Sequence, residues 1–137
     1  MDLNDELFEE ITKCTDKGEA LFDKGNFKAA IEEYKKAFEL IPEPKTDWDA
    51  SVWTLAAIGD SHFMLKEYAE ALEFFRSLAE EYEETENPFV LLRYGECLYE
   101  TGDLLNAKEQ LFAAYQLEGK EIFDNRKYLA IIADRIK

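Results

Sequence analysis

Small residues interrupt the apolar positions of this chain at a fixed spacing. Each of three glycines is followed twelve residues later by an alanine, and a large apolar side chain lies four residues beyond each alanine. Because two helix axes approach closely only where the side chains between them are small, this spacing predicts three helix pairs, each crossing at a glycine and an alanine. The three sets are Gly18, Ala30 and Tyr34; Gly59, Ala71 and Phe75; and Gly95, Ala107 and Leu111.

The spacing resembles that of the tetratricopeptide repeat (TPR), a helix–turn–helix unit of 34 residues. In this register the repeats cover residues 11–44, 52–85 and 88–121; the first helix of each (helix A) carries the glycine and the second (helix B) the alanine. A final segment, residues 125–137, has apolar residues at helical spacing and is predicted to cap the last repeat. The resemblance implies an all-α, TPR-type solenoid of three repeats plus a C-terminal capping helix, about seven helices in a single domain of residues 1–137.

The turn between helices A and B needs a residue with positive φ, a conformation that glycine adopts most readily. Gly25 and Gly102 occupy this position in the first and third repeats, whereas Lys66 occupies it in the second. We therefore expect the middle turn to be slightly strained or differently shaped.

An insertion separates the first two repeats. Pro42 and Pro44 end the preceding helix, and Thr46 is the expected N-cap of a helix that begins near Asp47. Such an early start would project Trp48 beyond the body of the solenoid. Trp48 and the terminal helix are then candidate surfaces for self-association.

The chain is strongly acidic, with 16 basic and 31 acidic residues and a net charge of −15. Nucleic acids and anionic membranes attract proteins through lysine and arginine, so neither is an expected partner. The charge favours a basic protein partner. A second interpretation is that the acidic residues only maintain solubility.

The chain has no apolar run long enough to cross a membrane, and its acidic start lacks the features of a signal peptide. We therefore expect a cytoplasmic protein. In that reducing compartment Cys14 and Cys97 are expected to be buried thiols, although the sequence alone does not exclude a disulfide between them.

Sequence motifs of catalysis are absent. The lone histidine, His62, occupies a position where the repeat has an aromatic packing residue, and neither cysteine has a neighbour at metal-ligand spacing. The chain has no nucleophile elbow, phosphate loop or dinucleotide-binding loop. We therefore expect that the protein is not an enzyme and needs no cofactor or metal.

The TPR resemblance also implies where a partner binds, because helix A lines the concave face of such solenoids. At those positions this chain carries carboxylates interleaved with large aromatic side chains, which are typical interface anchors. Alternatively, some of the aromatics pack between neighbouring helices, the carboxylates are ordinary solvated charges, and a convex or end surface binds the partner. The candidate residues are Asp16, Glu19, Asp23, Trp53, Asp60, Phe63, Phe89, Arg93, Glu96, Tyr99 and Glu100.

Arg93 is the only basic residue in that set. Co-chaperone TPR domains instead hold a C-terminal carboxylate with Lys, Asn and Arg side chains of their helices A. An acidic peptide tail would be repelled by the carboxylates of this chain, so heat-shock chaperone binding is not expected.

As a whole the chain resembles the short, acidic, three-repeat bacterial TPR proteins found beside polymorphic toxin genes. The resemblance lies in the Pro-Glu-Pro-Lys linker at 42–45 and in the ending Gly-Lys-Glu-Ile-Phe at 119–123, followed by Lys127 and Tyr128. It implies an immunity protein that binds a cognate toxin domain and blocks it. The alternatives are a chaperone or adaptor for a secreted or assembling partner, and a self-associating module. We expect a monomer or a weak dimer.

Overall fold

A computed structural model describes residues 4–136, and within this range the chain is all-α. Single 3-10 turns lie at Lys45–Asp47 and Lys120–Ile122, and the described range contains no strand. The prediction of about seven helices is confirmed. The helices are α1 (Asp5–Asp23), α2 (Phe27–Leu40), α3 (Asp49–Met64), α4 (Tyr68–Glu80), α5 (Pro88–Glu100), α6 (Leu104–Glu118) and α7 (Arg126–Ile131).

The helices fall into two compact units, and the boundary between Phe74 and Phe75 lies within α4. In the first unit α2 packs against both α1 and α3; in the second α5 packs against α6. Each pairing is that of neighbouring helices in the predicted helix–turn–helix repeats. That the whole chain forms one domain stays a prediction.

Helices A and B cross where the sequence places a glycine. A Cβ atom added to Gly18 would lie 2.6 Å from Cε1 of Tyr34, and one added to Gly95 would lie 2.7 Å from Cγ of Leu111. Real Cβ atoms do not approach other heavy atoms so closely. The prediction that helices A and B cross closely at these glycines is therefore confirmed in both units.

The turns between helices A and B have the predicted positive φ. The angle is +80° at Gly25 and +96° at Gly102, and Lys66 adopts 62°. A lysine in this left-handed region carries a steric penalty between its Cβ and the following carbonyl. The middle turn therefore keeps the conformation of the other two, at the expense of local strain.

The prediction for the inserted segment is wrong. Trp48 is only 8% exposed and packs in a core cluster with Ile11, Ala37 and Ile41. Its Nε1–H donates to the carbonyl of Pro42 at 3.0 Å. Because the indole covers α1 and α2, Trp48 cannot serve as a surface for self-association.

The start of α3 also differs from the prediction. Thr46 lies in the 3-10 turn, and α3 begins at Asp49 with Trp48 at the N-cap position. The Lys45 ammonium donates to the carbonyls of Phe38 and Ile41, at 2.8 and 2.5 Å, near the C-terminus of α2. This contact holds the inserted segment against α2, so the segment turns back onto the repeat.

Two terminal helices have other bounds than predicted. Helix α1 begins at Asp5, before the first repeat, and the Asn4 side chain caps it by accepting from the Leu7 N–H at 2.8 Å. Helix α7 ends at Ile131, short of the predicted capping helix 125–137, whose last residue lies outside the described range. The buried Ile132 nevertheless continues the predicted apolar face.

Neither cysteine is part of a disulfide. Cys97 is buried and Cys14 is half-buried, which partly matches the expected burial. The disulfide left open by the sequence is not formed.

Gly95→Ala is expected to lower the free energy of unfolding by about 1–2 kcal/mol. Overpacking a helix crossing costs about 1–3 kcal/mol, and the better helix propensity of alanine offsets up to about 1 kcal/mol of that cost. The Leu111 backbone nitrogen, 3.0 Å from the added Cβ, cannot move aside as a side chain would. Urea unfolding measures the change, with Gln116→Ala, an exposed site on α6, as the control. A variant as stable as the wild type would contradict the close crossing.

Lys66→Gly is expected to raise the free energy of unfolding by up to about 1 kcal/mol. The substitution relieves the left-handed strain of about 1–2 kcal/mol, and the greater freedom of glycine in the unfolded chain offsets part of that gain. The reciprocal change Gly102→Lys introduces the same strain and should be destabilising. Thermal unfolding of both variants tests the pair; a destabilised Lys66→Gly would show that the lysine turn is unstrained.

Candidate functional site

A cleft of about 440 Å³ lies in the first unit, along one face of α1 and one face of α3. The lining residues recur every three or four positions on each helix, as residues on one helical face do. Tyr34 of α2 completes the wall. The lining residues from α1 are Phe8, Ile11, Thr12, Thr15 and Glu19, and those from α3 are Ala50, Trp53, Thr54 and Ala57.

The cleft is mostly apolar. The Trp53 side chain is 71% exposed and that of Phe8 is 55% exposed. The hydroxyls of Thr15 and Thr54 donate to the Thr12 and Ala50 carbonyls of their own helices, at 3.0 and 2.6 Å. Because those two protons are already used, the side chains that bind beside Phe8 and Trp53 are expected to be apolar.

Carboxylates gather at one end of this cleft. Burial, together with the negative charges of Glu19, Asp23 and Asp60, raises the pKa of Tyr34 to about 12. Glu19 and Asp23 are exposed and Asp60 is half-buried. Glu19 lines the cleft and makes that end negative, and the charges of Asp23 and Asp60 reach the Tyr34 hydroxyl.

Of the predicted site residues of the first unit, only Glu19 and Trp53 line the cleft, and Asp16 and Phe63 have other surroundings. Asp16 is exposed on α1. Phe63 is half-buried and packs edge-on against Tyr68, with ring centroids 5.3 Å apart. Phe63 therefore fits the alternative in which an aromatic of helix A packs within the repeat.

The predicted residues at the start of α5 form their own cluster in the second unit. Arg93 lies over the ring of Phe89, 5.7 Å from its centroid, and forms an ion pair with Glu96 at 2.7 Å. Glu96 is only 2% exposed. Its carboxylate is therefore used within the protein, whereas Phe89, packed against Phe75, keeps an exposed edge.

The C-terminal segment contacts the last two predicted residues. Tyr99 packs edge-on against Tyr128, with centroids 6.0 Å apart. The Glu100 carboxylate accepts hydrogen bonds from Lys127 and Tyr128, each at 2.6 Å. Tyr99 and Glu100 therefore hold the C-terminal segment in place.

Sequence reasoning missed Phe8, because the repeat register began at residue 11. The sequence does indicate that the helix starts earlier, because Asn4 is a good N-cap and Asp5 and Glu6 follow it in the first turn. Leu7, Phe8 and Ile11 then continue an apolar face at helical spacing.

His62 packs as an aromatic residue. Its ring stacks on Phe74 at 5.6 Å, and Nδ1 lies 2.8 Å from a carboxylate oxygen of Glu67. Within residues 4–136, no group of three or more His, Cys, Asp or Glu side chains is arranged to hold a metal ion. None of the helices described is both long and apolar enough to cross a membrane.

Paired helices that cross at glycines and turn at positive φ define an α-helical repeat protein. The family model of the tetratricopeptide repeat matches residues 11–84, which is more than half of the chain. The chain therefore belongs to the TPR family.

Solved TPR structures share this fold. The first TPR of Spaghetti (RPAP3), bound to the HSP90 peptide SRMEEVD, is 19% identical, with a TM-score of 0.71 over 92% of this chain and 90% of that one. The C-terminal TPR-containing domain of a putative FK506-binding protein from Plasmodium falciparum is 20% identical, with a TM-score of 0.73 over 96% and 89%.

The Yersinia enterocolitica type III secretion chaperone SycD, in complex with a peptide of the translocator YopD, is 16% identical, with a TM-score of 0.73 over 98% and 95%. At these identities the likeness concerns the fold alone. No curated protein sequence matches the chain significantly.

Glu100→Gln is expected to destabilise the protein at neutral pH and to have little effect in acid. Burial alone would raise the pKa of Glu100, but the hydrogen bonds from Lys127 and Tyr128 bring it below the usual value. A lowered folded-state pKa stabilises the fold above the unfolded-state value of about 4.3, and this contribution is lost as the pH falls through the folded-state pKa.

Urea unfolding at about pH 7 and about pH 3 measures the difference between wild type and variant in the ionised and protonated states of Glu100. Glu118→Gln, an exposed site on α6, is the control. If the variant lost the same free energy of unfolding at both pH values, Glu100 would act through packing instead of charge.

Proposed function

We propose that this chain is a non-catalytic protein-binding module that binds a basic partner protein. The observation that carries the proposal is the grouping of Glu19, Asp23 and Asp60 around Tyr34, beside an apolar cleft with an exposed Trp53. Matched charge orients a partner and speeds its encounter, and a buried aromatic anchor holds it. The TPR structures with bound peptides are consistent with this use of the fold.

The binding face is proposed to lie on helices A. In the first unit its acidic members Asp16, Glu19 and Asp23 are exposed. In the second unit Glu96 and Glu100 are paired with Arg93 and with the C-terminal segment. The acids of the first unit are therefore proposed to contribute most of the charge attraction.

The partner is proposed to be a toxin domain that this chain neutralises. The net charge of −15 suits a basic partner, and the insertion at 42–45 and the ending at 119–123 resemble those of bacterial TPR immunity proteins. This step rests on family-level analogy, so it needs a test separate from the test of binding. The main alternative is a chaperone or adaptor that uses the same face.

The double variant Glu19→Lys/Asp23→Lys is expected to weaken partner binding at least about tenfold, because it removes charge attraction and adds repulsion. Glu32→Lys/Glu39→Lys, two exposed sites on α2, changes the net charge equally and is the matched control. The partner is first isolated with the wild-type chain as bait, and calorimetry then gives the affinity of all three proteins. Equal losses in both double variants would contradict the proposed face.

Growth assays separate the toxin proposal from its alternative. A toxin domain expressed alone is expected to arrest growth, and co-expression of this chain should restore it. The Glu19→Lys/Asp23→Lys variant should restore growth less well than the α2 control. A partner that is harmless alone would support the chaperone or adaptor alternative.

A further inference from the structure

The cleft along α1 and α3 has one apolar end and one acidic end. Phe8, Ala50 and Trp53 lie near the N-termini of the two helices. Glu19 lies toward the C-terminus of α1, and Asp60 of α3 acts on the same Tyr34 hydroxyl as Glu19 does. The α1 wall therefore runs from apolar at Phe8 to negative at Glu19, and the α3 wall is apolar at Ala50 and Trp53.

The size of the cleft fits more than one side chain. A cavity of about 150 Å³ holds a benzene ring, and this cleft measures about 440 Å³. From Phe8 to Glu19 the α1 wall runs eleven residues, which is about 16 Å at the helical rise. That length accommodates three side chains of a bound segment. Two are large and apolar, and they lie about 5–6 Å apart if they are on neighbouring turns of a helix. The third is charged and lies beyond them.

We infer that the α1–α3 cleft receives a segment of the partner with two large apolar side chains and, on the side toward Glu19, a lysine or arginine that pairs with Glu19. This inference rests on the proposed function and names the chemistry that the first unit recognises. The exposed Trp53 ring contacts the apolar pair, and the Thr15 and Thr54 hydroxyls of the walls already donate to carbonyls of their own helices.

A second copy of this chain does not fit the cleft as well. Its net charge is −15, so an acidic surface would face the acidic end, and like charges repel. Trp48, the other tryptophan, lies in the core and is not offered to another copy. Charge complementarity thus selects a basic segment of a different protein.

Selection from a random library of 12-residue peptides, displayed on phage, tests the inference. Enriched peptides are expected to carry two large apolar residues with a Lys or Arg on one side of them. A synthetic peptide of the consensus should bind Trp53→Ala and Phe8→Ala at least tenfold more weakly than the wild type. Leu105→Ala, on α6 and 70% exposed, is the matched control and should bind as the wild type does.

A charge swap tests the pairing with Glu19. The consensus peptide with its basic residue changed to Glu should bind the wild type poorly and regain affinity for Glu19→Lys. Since Trp48 is buried, a shift of the Trp53 emission on binding reports that the peptide occupies the cleft. Folding of each variant is checked by its helical circular dichroism.

Three results would overturn the inference: no enrichment over the unselected library, enriched peptides that are acidic, or unchanged affinity for Trp53→Ala. If the whole partner needs Glu19 and Asp23 but binds Trp53→Ala normally, the cleft is not the anchor and the proposed function stands. If the partner needs neither the acids nor Trp53, both proposals fail.

Discussion

Helices A and B approach as closely as they do because Gly18 and Gly95 have no side chain. A Cβ atom at either position would lie within 3 Å of the helix B residue that crosses it, Tyr34 or Leu111. In the first unit this contact has a second effect. The ring that lies against Gly18 also forms part of the cleft wall, and its hydroxyl is the point on which the carboxylates act. The packing constraint of the fold therefore also fixes the position of the acidic end of the cleft.

The acidic positions of the repeat have different roles in the two units. The second unit places Glu96 against Arg93 and Glu100 against Lys127, so these two acids are paired inside the chain. Partly buried pairs lose less to solvent screening than surface pairs, and the Glu100–Lys127 pair joins α5 to the C-terminal segment. The first unit leaves Glu19 and Asp23 exposed. A repeat sequence with an acid at corresponding positions thus yields internal pairing in one unit and an exposed negative surface in the other.

The spacing of glycines and alanines was enough to predict the helix pairs and their turns, because those features depend on local sterics. Trp48 was mispredicted because its position depends on packing against Ile11, which is distant in the sequence, as well as against Ala37 and Ile41. The Arg93–Glu96 pair was predictable in principle, since residues three apart on a helix are neighbours. The bonds from Lys127 and Tyr128 to Glu100 were not, because they require knowing where the C-terminal segment docks.

The charge and the cleft contribute to different steps of binding. Long-range attraction raises the rate of encounter, whereas the fit of buried side chains mainly sets the rate of dissociation. A neutraliser must capture its target quickly and release it slowly, and a chaperone must release its client. The cleft has ten lining residues, whereas a standard protein interface has about 20–30 residues on each side. Occupation of the cleft alone therefore suits a released client, and a lasting complex requires further contacts on the surface around it.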